Sequence, residues 1–129
     1  MSSFRRQLRQ FIQGLADEAG SHRRADPPRR DAQSKAIQLL KQHLTAVQRE
    51  QLEKRNYFYV SGGSSGRVYR IRYGAQMNIE QLDQSGKRIR VLCFMPKGGL
   101  AVGDVMLAQK IALELYEMEA LNIANYGFP

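Results

Sequence analysis

The sequence has very little of what disulfides and metal sites require. Its 129 residues include one cysteine, Cys93, and two histidines, His22 and His43. A single cysteine excludes an intramolecular disulfide. It also excludes zinc sites built from four cysteines, or from two cysteines with two histidines. We therefore expect no metal site and no cofactor, and a reducing environment for the folded chain.

Long apolar runs are also missing. The longest uninterrupted run covers residues 91–95, whereas a membrane-spanning helix needs about 20 apolar residues. This predicts no transmembrane segment and, with the single cysteine, a cytoplasmic location, either a bacterial cytoplasm or a virion. Apolar residues make up 43% and charged residues 25% of the chain, which is typical of a folded globular protein with one main domain.

No recognisable catalytic constellation is present. The acidic residues Glu80, Asp83 and Asp104 fit a strand surface, a turn and a helix N-cap better than a general acid–base pair. Cys93 falls on the apolar side of a predicted strand, where a cysteine is usually buried and unreactive. A Cys93 thiolate activated by a histidine is the one enzymatic alternative, and the pattern as a whole favours a protein that is not an enzyme.

One glycine-rich segment, SGGSSG at residues 61–66, shares its composition with phosphate-binding loops. It lacks their Gly-Lys-Ser/Thr ending, and it leads into a predicted strand instead of a helix. Its glycines supply the positive φ angles that a β-hairpin needs. We therefore expect a hairpin connection here, and Arg67, directly after it, is a candidate anion-binding residue.

Positive charge exceeds negative charge, and most of the excess lies in the first part of the chain. The formal net charge is +8; residues 1–55 carry 12 Lys or Arg against 6 Asp or Glu, a net of +6, and residues 56–129 carry 8 against 6, a net of +2. A basic region of this kind attracts nucleic acid, anionic lipid or an acidic protein without specifying which. A soluble protein that is simply basic is the alternative.

The first 20 residues have the pattern of an amphipathic helix, with apolar residues recurring every three or four positions. Its apolar stripe includes Phe4, Leu8, Phe11, Ile12 and Leu15. A helix of this length is marginal in water on its own, so these residues are candidates for docking onto a partner or another copy of the chain. Residues 21–33 are predicted to follow as a basic, proline-containing linker.

Residues 34–129 are predicted to form one α+β domain. Two helices are expected within residues 34–55, and Thr45 followed by Gln48 is a capping-box pattern that marks the start of the second. Alternating apolar and polar residues over 57–95 predict an antiparallel meander of three or four strands. Asp104 is a suitable N-cap for a C-terminal helix over residues 104–121 that packs against the sheet.

Arginines and tyrosines are interleaved in the predicted strands. Arg70 and Arg72 lie on one strand and Arg88 and Arg90 on another, so they form a basic stripe if the strands share a surface. Nearby tyrosines would then offer planes for base stacking, as on sheets that bind single-stranded nucleic acid. The alternative is that the tyrosines form the core and the arginines are solvated. Both interpretations depend on strand register.

The segments GRVYRIRYG, VLCFMP and GDVMLAQKIALE, within residues 66–114, resemble a block found in an uncharacterised family of small bacterial and phage-encoded proteins. The block covers less than half of the chain. The resemblance implies a protein associated with a phage or another mobile element, and it assigns no activity or site residue.

These observations favour a non-enzymatic basic interaction protein that binds nucleic acid or an acidic protein partner. The alternative is a structural subunit of a larger assembly, such as a virion component, whose residues 1–30 dock on neighbouring copies. The candidate anion-binding residues are Arg5, Arg6, Arg9, Arg23, Arg24, Arg29, Arg30, Arg67, Arg70, Arg72, Arg88 and Arg90.

Overall fold

A computed structural model of the chain describes residues 29–94 and 99–127. The predicted N-terminal helix, its docking residues and the first part of the predicted linker lie outside these residues. So do five of the basic candidates, Arg5, Arg6, Arg9, Arg23 and Arg24. In the part of the chain that the structure describes, no helix is long and apolar enough to cross a membrane.

Two helices open the described chain, α1 over Arg29–Gln42 and α2 over Ala46–Arg55. Thr45 Oγ1 accepts a hydrogen bond from Gln48 N at 3.1 Å, and Gln48 Oε1 accepts one from Thr45 N at 3.0 Å. The capping box predicted between α1 and α2 is therefore confirmed. Helix α1 begins before residue 34, so residues 29–33 are helical and not part of a linker. Gln33 helps to hold this extra turn, because its side chain accepts a hydrogen bond from Val102 N at 3.1 Å.

Five strands follow in a single antiparallel meander, in the spatial order β1 to β5. They are β1 Tyr57–Ser61, β2 Val68–Arg72, β3 Ile79–Leu82, β4 Arg88–Cys93 and β5 Asn125–Gly127. The predicted α+β class is confirmed, and the hairpin expected at residues 61–66 joins β1 to β2. The sheet has one strand more than predicted, because β5 is too short to show an alternating pattern.

One face of the sheet forms the core. Register places Phe58, Ile71, Ile79 and Leu92 in one row across β1 to β4, and none of the four is exposed to solvent. They belong to one apolar cluster with residues of the C-terminal helix such as Met106. We call this side of the sheet the core face. Burying such a side chain contributes about 2 kcal/mol, so this row anchors the sheet to the helices.

The outer edge of β1 is covered by helix α2. Gln48 Nε2 donates to the carbonyl oxygen of Tyr59 at 2.9 Å, and Gln51 Oε1 accepts from the Tyr59 N–H at 3.1 Å. Both backbone groups of Tyr59 are thus paired by side chains instead of by another strand. Covering an edge in this way prevents it from pairing with another chain.

The C-terminal helix is divided into α3, Val102–Leu115, and α4, Glu117–Ile123. In a continuous helix the carbonyl of Leu113 would accept from the N–H of Glu117. Here it accepts from Gly63 N at 3.0 Å, and Tyr116 leaves helical geometry with φ −137° and ψ 44°. The single helix predicted over residues 104–121 is therefore interrupted where the glycine-rich loop docks. Ala101, not Asp104, occupies the N-cap position.

Helices α1 and α3 approach each other closely at Gly103. A Cβ atom at this position would overlap the backbone carbonyl group of Ala36 in α1. The overlap involves backbone on both sides, so no side-chain rotation relieves it. Only glycine fits at this crossing without a shift of one helix.

We expect Gly103→Ala to destabilise the protein by about 2–4 kcal/mol. At a helical site with free space around it, replacing glycine by alanine raises the free energy of unfolding by about 1 kcal/mol. The sign of the change therefore shows whether α1 packs on Gly103. Denaturant unfolding followed by circular dichroism measures the difference. A variant at least as stable as the parent chain would show that α1 does not pack on Gly103.

Candidate functional site

Strand register brings one acidic residue and several arginines to the face opposite the core face. Arg70 on β2 lies directly opposite Glu80 on β3. On β4 the register shifts, so that Gln81 pairs with Arg90 but Leu82 pairs with Arg88. The extra residue, Ile89, makes a β-bulge that moves Arg88 to the face of Glu80. We call this side of the sheet the arginine face.

Three guanidinium groups surround the Glu80 carboxylate. Arg70 Nε donates to Oε1 at 2.6 Å, Arg88 Nη1 donates to Oε2 at 3.1 Å, and Arg72 Nη1 lies 3.8 Å from Oε1. The Glu80 side chain is only 2% exposed, whereas those of Arg72 and Arg88 are 58% and 44% exposed. The carboxylate is thus covered by its partners, and two of these partners remain in contact with solvent.

Glu80 and its arginines shift each other's pKa values so that both remain charged. Burial raises the pKa of Glu80, but the hydrogen bond and charge of Arg70, with contributions from Arg88 and Arg72, outweigh it and leave the pKa below its usual value. The hydrogen bond to Glu80 in turn raises the pKa of Arg70 above its usual value. The carboxylate is therefore ionised at neutral pH, and three positive charges against one negative charge leave the cluster at +2.

Two tyrosines lie beside this cluster. Tyr57 and Tyr59 on β1 pair with Arg72 and Arg70 on the same face, and their rings make an edge-to-face contact with centroids 5.4 Å apart. The Arg70 guanidinium lies 5.2 Å from the Tyr57 ring centroid, in cation–π range. The tyrosines thus divide between the two faces, since Tyr69 is fully buried in the core while Tyr57 and Tyr59 flank the arginines.

Arg90, the fourth arginine of the predicted stripe, lies on the other face of the sheet. It pairs with Gln81, which pairs with the buried Tyr69. Arg90 Nε donates to Gln81 Oε1 at 2.6 Å, and its guanidinium lies 4.5 Å from the Tyr126 ring centroid on β5. Arg90 therefore packs against the fifth strand and does not join the cluster around Glu80.

Two further candidates lie elsewhere in the described part of the chain. Arg67 is exposed beside the glycine-rich loop, and Arg30 is exposed on α1. The backbone of Arg29 begins α1. Among the described residues, the structure thus brings together three of the predicted anion-binding arginines, Arg70, Arg72 and Arg88.

The glycine-rich loop binds a carboxylate of its own chain. Glu117 Oε1 accepts from the backbone N–H groups of Ser64 and Ser65 at 2.9 and 2.8 Å. Glu117 Oε2 accepts from the Ser65 hydroxyl at 2.5 Å and from the Tyr69 hydroxyl at 2.7 Å. A Cβ at Gly62 would overlap this carboxylate, which explains a glycine there. The loop donors that would bind a phosphate are therefore already used by Glu117.

Burial raises the pKa of Glu117, but the hydrogen bonds from Ser65, Tyr69 and the loop amides outweigh it, and the pKa lies below its usual value. Burial, with the hydrogen bond to Glu117, raises the pKa of Tyr69. The ionised carboxylate and the neutral phenol therefore persist together over the neutral pH range.

Cys93 is buried, with its Sγ 3.5 Å from the sulfur of Met77. Within residues 29–94 and 99–127, no group of three His, Cys, Asp or Glu side chains is placed to hold a metal ion.

Sequence reasoning missed the roles of Glu80 and Glu117. The sequence pattern places Glu80 on a strand surface, and Glu117 lies within the predicted continuous helix over residues 104–121. Glu80 had one usable signal, because it is an acidic residue in a strand whose neighbouring strands carry arginines. No pattern in the sequence signals Glu117, since its partners are separated from it by about 50 residues.

Comparison of the chain with known protein families, with curated proteins and with solved structures gave no match. The assignment of a function therefore rests on the residues described above.

Glu117→Gln should destabilise the protein at neutral pH by about 2–3 kcal/mol, because an amide cannot accept all of the loop's hydrogen bonds. The folded-state pKa of Glu117 is depressed, so its contribution is fully present above the unfolded value of about 4.3 and is lost as pH falls through the folded value. The variant should therefore lose less stability than the parent chain on acidification.

Denaturant unfolding between about pH 2 and pH 7 tests this expectation. Glu119→Gln is the control, because it removes the same charge two residues away and should change stability at pH 7 by less than about 0.5 kcal/mol. Parallel stability profiles for Glu117→Gln and the parent chain would contradict the role assigned to Glu117.

Proposed function

We propose that this chain is a non-enzymatic basic protein that binds single-stranded nucleic acid through its arginine face. The observation that carries the proposal is the cluster around Glu80, in which three arginines exceed the one carboxylate they share. Neutralising a single buried acid needs one arginine. The surplus of positive charge, on side chains that remain exposed, is available to an external anion.

The chemistry of the neighbouring residues favours nucleic acid over an acidic protein. Guanidinium groups bind phosphates and carboxylates alike through paired N–H donors. Tyr57 and Tyr59 add aromatic rings beside the arginines. Unstacked bases can stack on these rings, whereas acidic side chains have no ring with which to stack. Arginines and aromatic rings together on a sheet are a recurrent surface for single strands. A duplex, whose bases are stacked internally, would use only the charges.

The net charge of +8 supports the same proposal. Long-range attraction raises the rate at which a polyanion meets the protein, and the bound arginines and lysines release counterions from the strand. Binding should therefore weaken steeply as salt concentration rises.

We expect Arg72→Gln to weaken binding of a fluorescein-labelled oligothymidylate by about tenfold at low salt. The loss of one phosphate contact should also reduce the slope of log K against log salt by about 0.7. Fluorescence anisotropy at several salt concentrations measures both quantities. Lys35→Gln is the matched control, since it removes one exposed positive charge from α1 and should weaken binding by less than about twofold.

Three outcomes would decide against the proposal. If the parent chain does not bind the oligonucleotide at low salt, the arginine face is not a nucleic-acid surface. If polyglutamate of matched charge binds more tightly than the oligothymidylate, the tyrosine planes contribute nothing and the partner is an acidic protein. If light scattering shows concentration-dependent assembly that is lost when residues 1–28 are removed, and no oligonucleotide binds, the protein is a subunit of a larger structure.

A further inference from the structure

The position of Glu80 is unusual for a residue whose only task is to stabilise the sheet. It lies in the central strand β3, opposite Arg70 on one side and Val91 on the other. Placing a carboxylate in such a buried position carries a desolvation cost, and replacing a buried ion pair with apolar residues is often neutral or stabilising. The fold alone therefore does not require an acid here.

What the carboxylate does is to fix the arginines. A free arginine side chain samples many rotamers and loses that freedom when it binds a ligand. Glu80 contacts Arg70 through Nε and Arg88 through a single terminal nitrogen, and it attracts Arg72 from 3.8 Å. Since each guanidinium has five N–H donors, most donors of Arg72 and Arg88 are not used by Glu80.

The geometry also places these two exposed arginines around one point. Arg72 and Arg88 come from β2 and β4, on either side of β3, and each has a nitrogen within 4 Å of the same carboxylate. A phosphate group that meets both would therefore find two guanidinium groups already in place. Its single negative charge would lower the cluster from +2 to +1, so the negative charge of Glu80 does not prevent binding.

We propose that Glu80 is a positioning residue, which holds Arg70, Arg72 and Arg88 as a preformed site for one phosphate group. The proposal rests on the proposed function, because that phosphate belongs to the bound strand. It differs from a purely electrostatic account of binding in one respect. If only charge mattered, the negative charge of Glu80 would lower the affinity for a polyanion. If Glu80 positions the arginines, it raises that affinity.

Glu80→Gln separates the two accounts. The variant gains one positive unit of net charge, so charge alone would tighten binding of the labelled oligothymidylate. Loss of positioning should instead weaken binding by about fivefold, because the arginines must be ordered when the phosphate binds. The control is Glu53→Gln, which makes the same change of charge on exposed residue 53 of α2 and should bind as tightly as the parent chain or slightly more tightly.

A second measurement identifies the ligand group. Inorganic phosphate should displace the oligonucleotide from the parent chain more effectively than chloride at equal ionic strength, and this difference should disappear in Glu80→Gln. A role of Glu80 in stability alone would not change this difference. Circular dichroism establishes that each variant is folded. If Glu80→Gln does not fold, Glu80→Asp is used in the same assays, because it keeps the charge but withdraws the carboxylate by one methylene group.

The outcomes are distinguishable from failure of the proposed function. If the parent chain does not bind the oligonucleotide, both proposals fall. If Arg72→Gln weakens binding but a folded Glu80→Gln, or Glu80→Asp in its place, binds as tightly as the parent chain or more tightly, nucleic-acid binding stands and the positioning role is overturned. Weaker binding by Glu80→Gln, or by Glu80→Asp in its place, with loss of the preference for phosphate over chloride, supports the positioning role.

Discussion

The interaction on which the arginine face depends is the buried carboxylate of Glu80 among three guanidinium groups. The register of β2, β3 and β4 and the β-bulge at Ile89 bring Arg70 and Arg88 to this carboxylate. Without the bulge, Arg88 would share the face of Arg90 and the cluster would lose one of its charges. A one-residue irregularity in a single strand thus decides whether Arg88 joins the cluster around Glu80.

A second buried carboxylate, Glu117, shows the contrasting arrangement. Its partners are neutral donors, namely two loop amides and two hydroxyl groups, which hold the loop and the buried Tyr69 of β2 against α4. The glycine-rich loop therefore behaves as an internal anion site that the protein itself fills. Glu80, by comparison, is surrounded by three guanidinium groups, and it uses few of the N–H donors of Arg72 and Arg88. The same physical requirement, a partner for every buried charge, is met by neutral donors at Glu117 and by a surplus of positive charge at Glu80.

Local patterns in the sequence were sufficient for the α+β class, for the capping box at Thr45 and for the hairpin at residues 61–66, because each depends on residues close together in the chain. They failed where distant segments meet. The helix is interrupted at Tyr116 because the Gly63 N–H donates to the carbonyl oxygen of Leu113. Strand β5 forms by pairing with the free edge of β4, which lies far from it in the sequence. The candidate site was predicted in part, since the interleaved arginines were visible but the bulge that separates Arg88 from Arg90 was not.

The most direct test of the account follows the arginine side chains themselves while a single strand binds. Nitrogen-15 NMR resolves each arginine Nε–H group, and titration with an oligothymidylate should change the signals of Arg72 and Arg88 first and most. The signal of Arg49 on α2 should stay nearly unchanged, because its Nε donates to the carbonyl oxygen of Lys41 in α1 and not to a residue of the arginine face. Binding that shifts the Arg49 signal and leaves Arg72 and Arg88 unaffected would contradict the central claim.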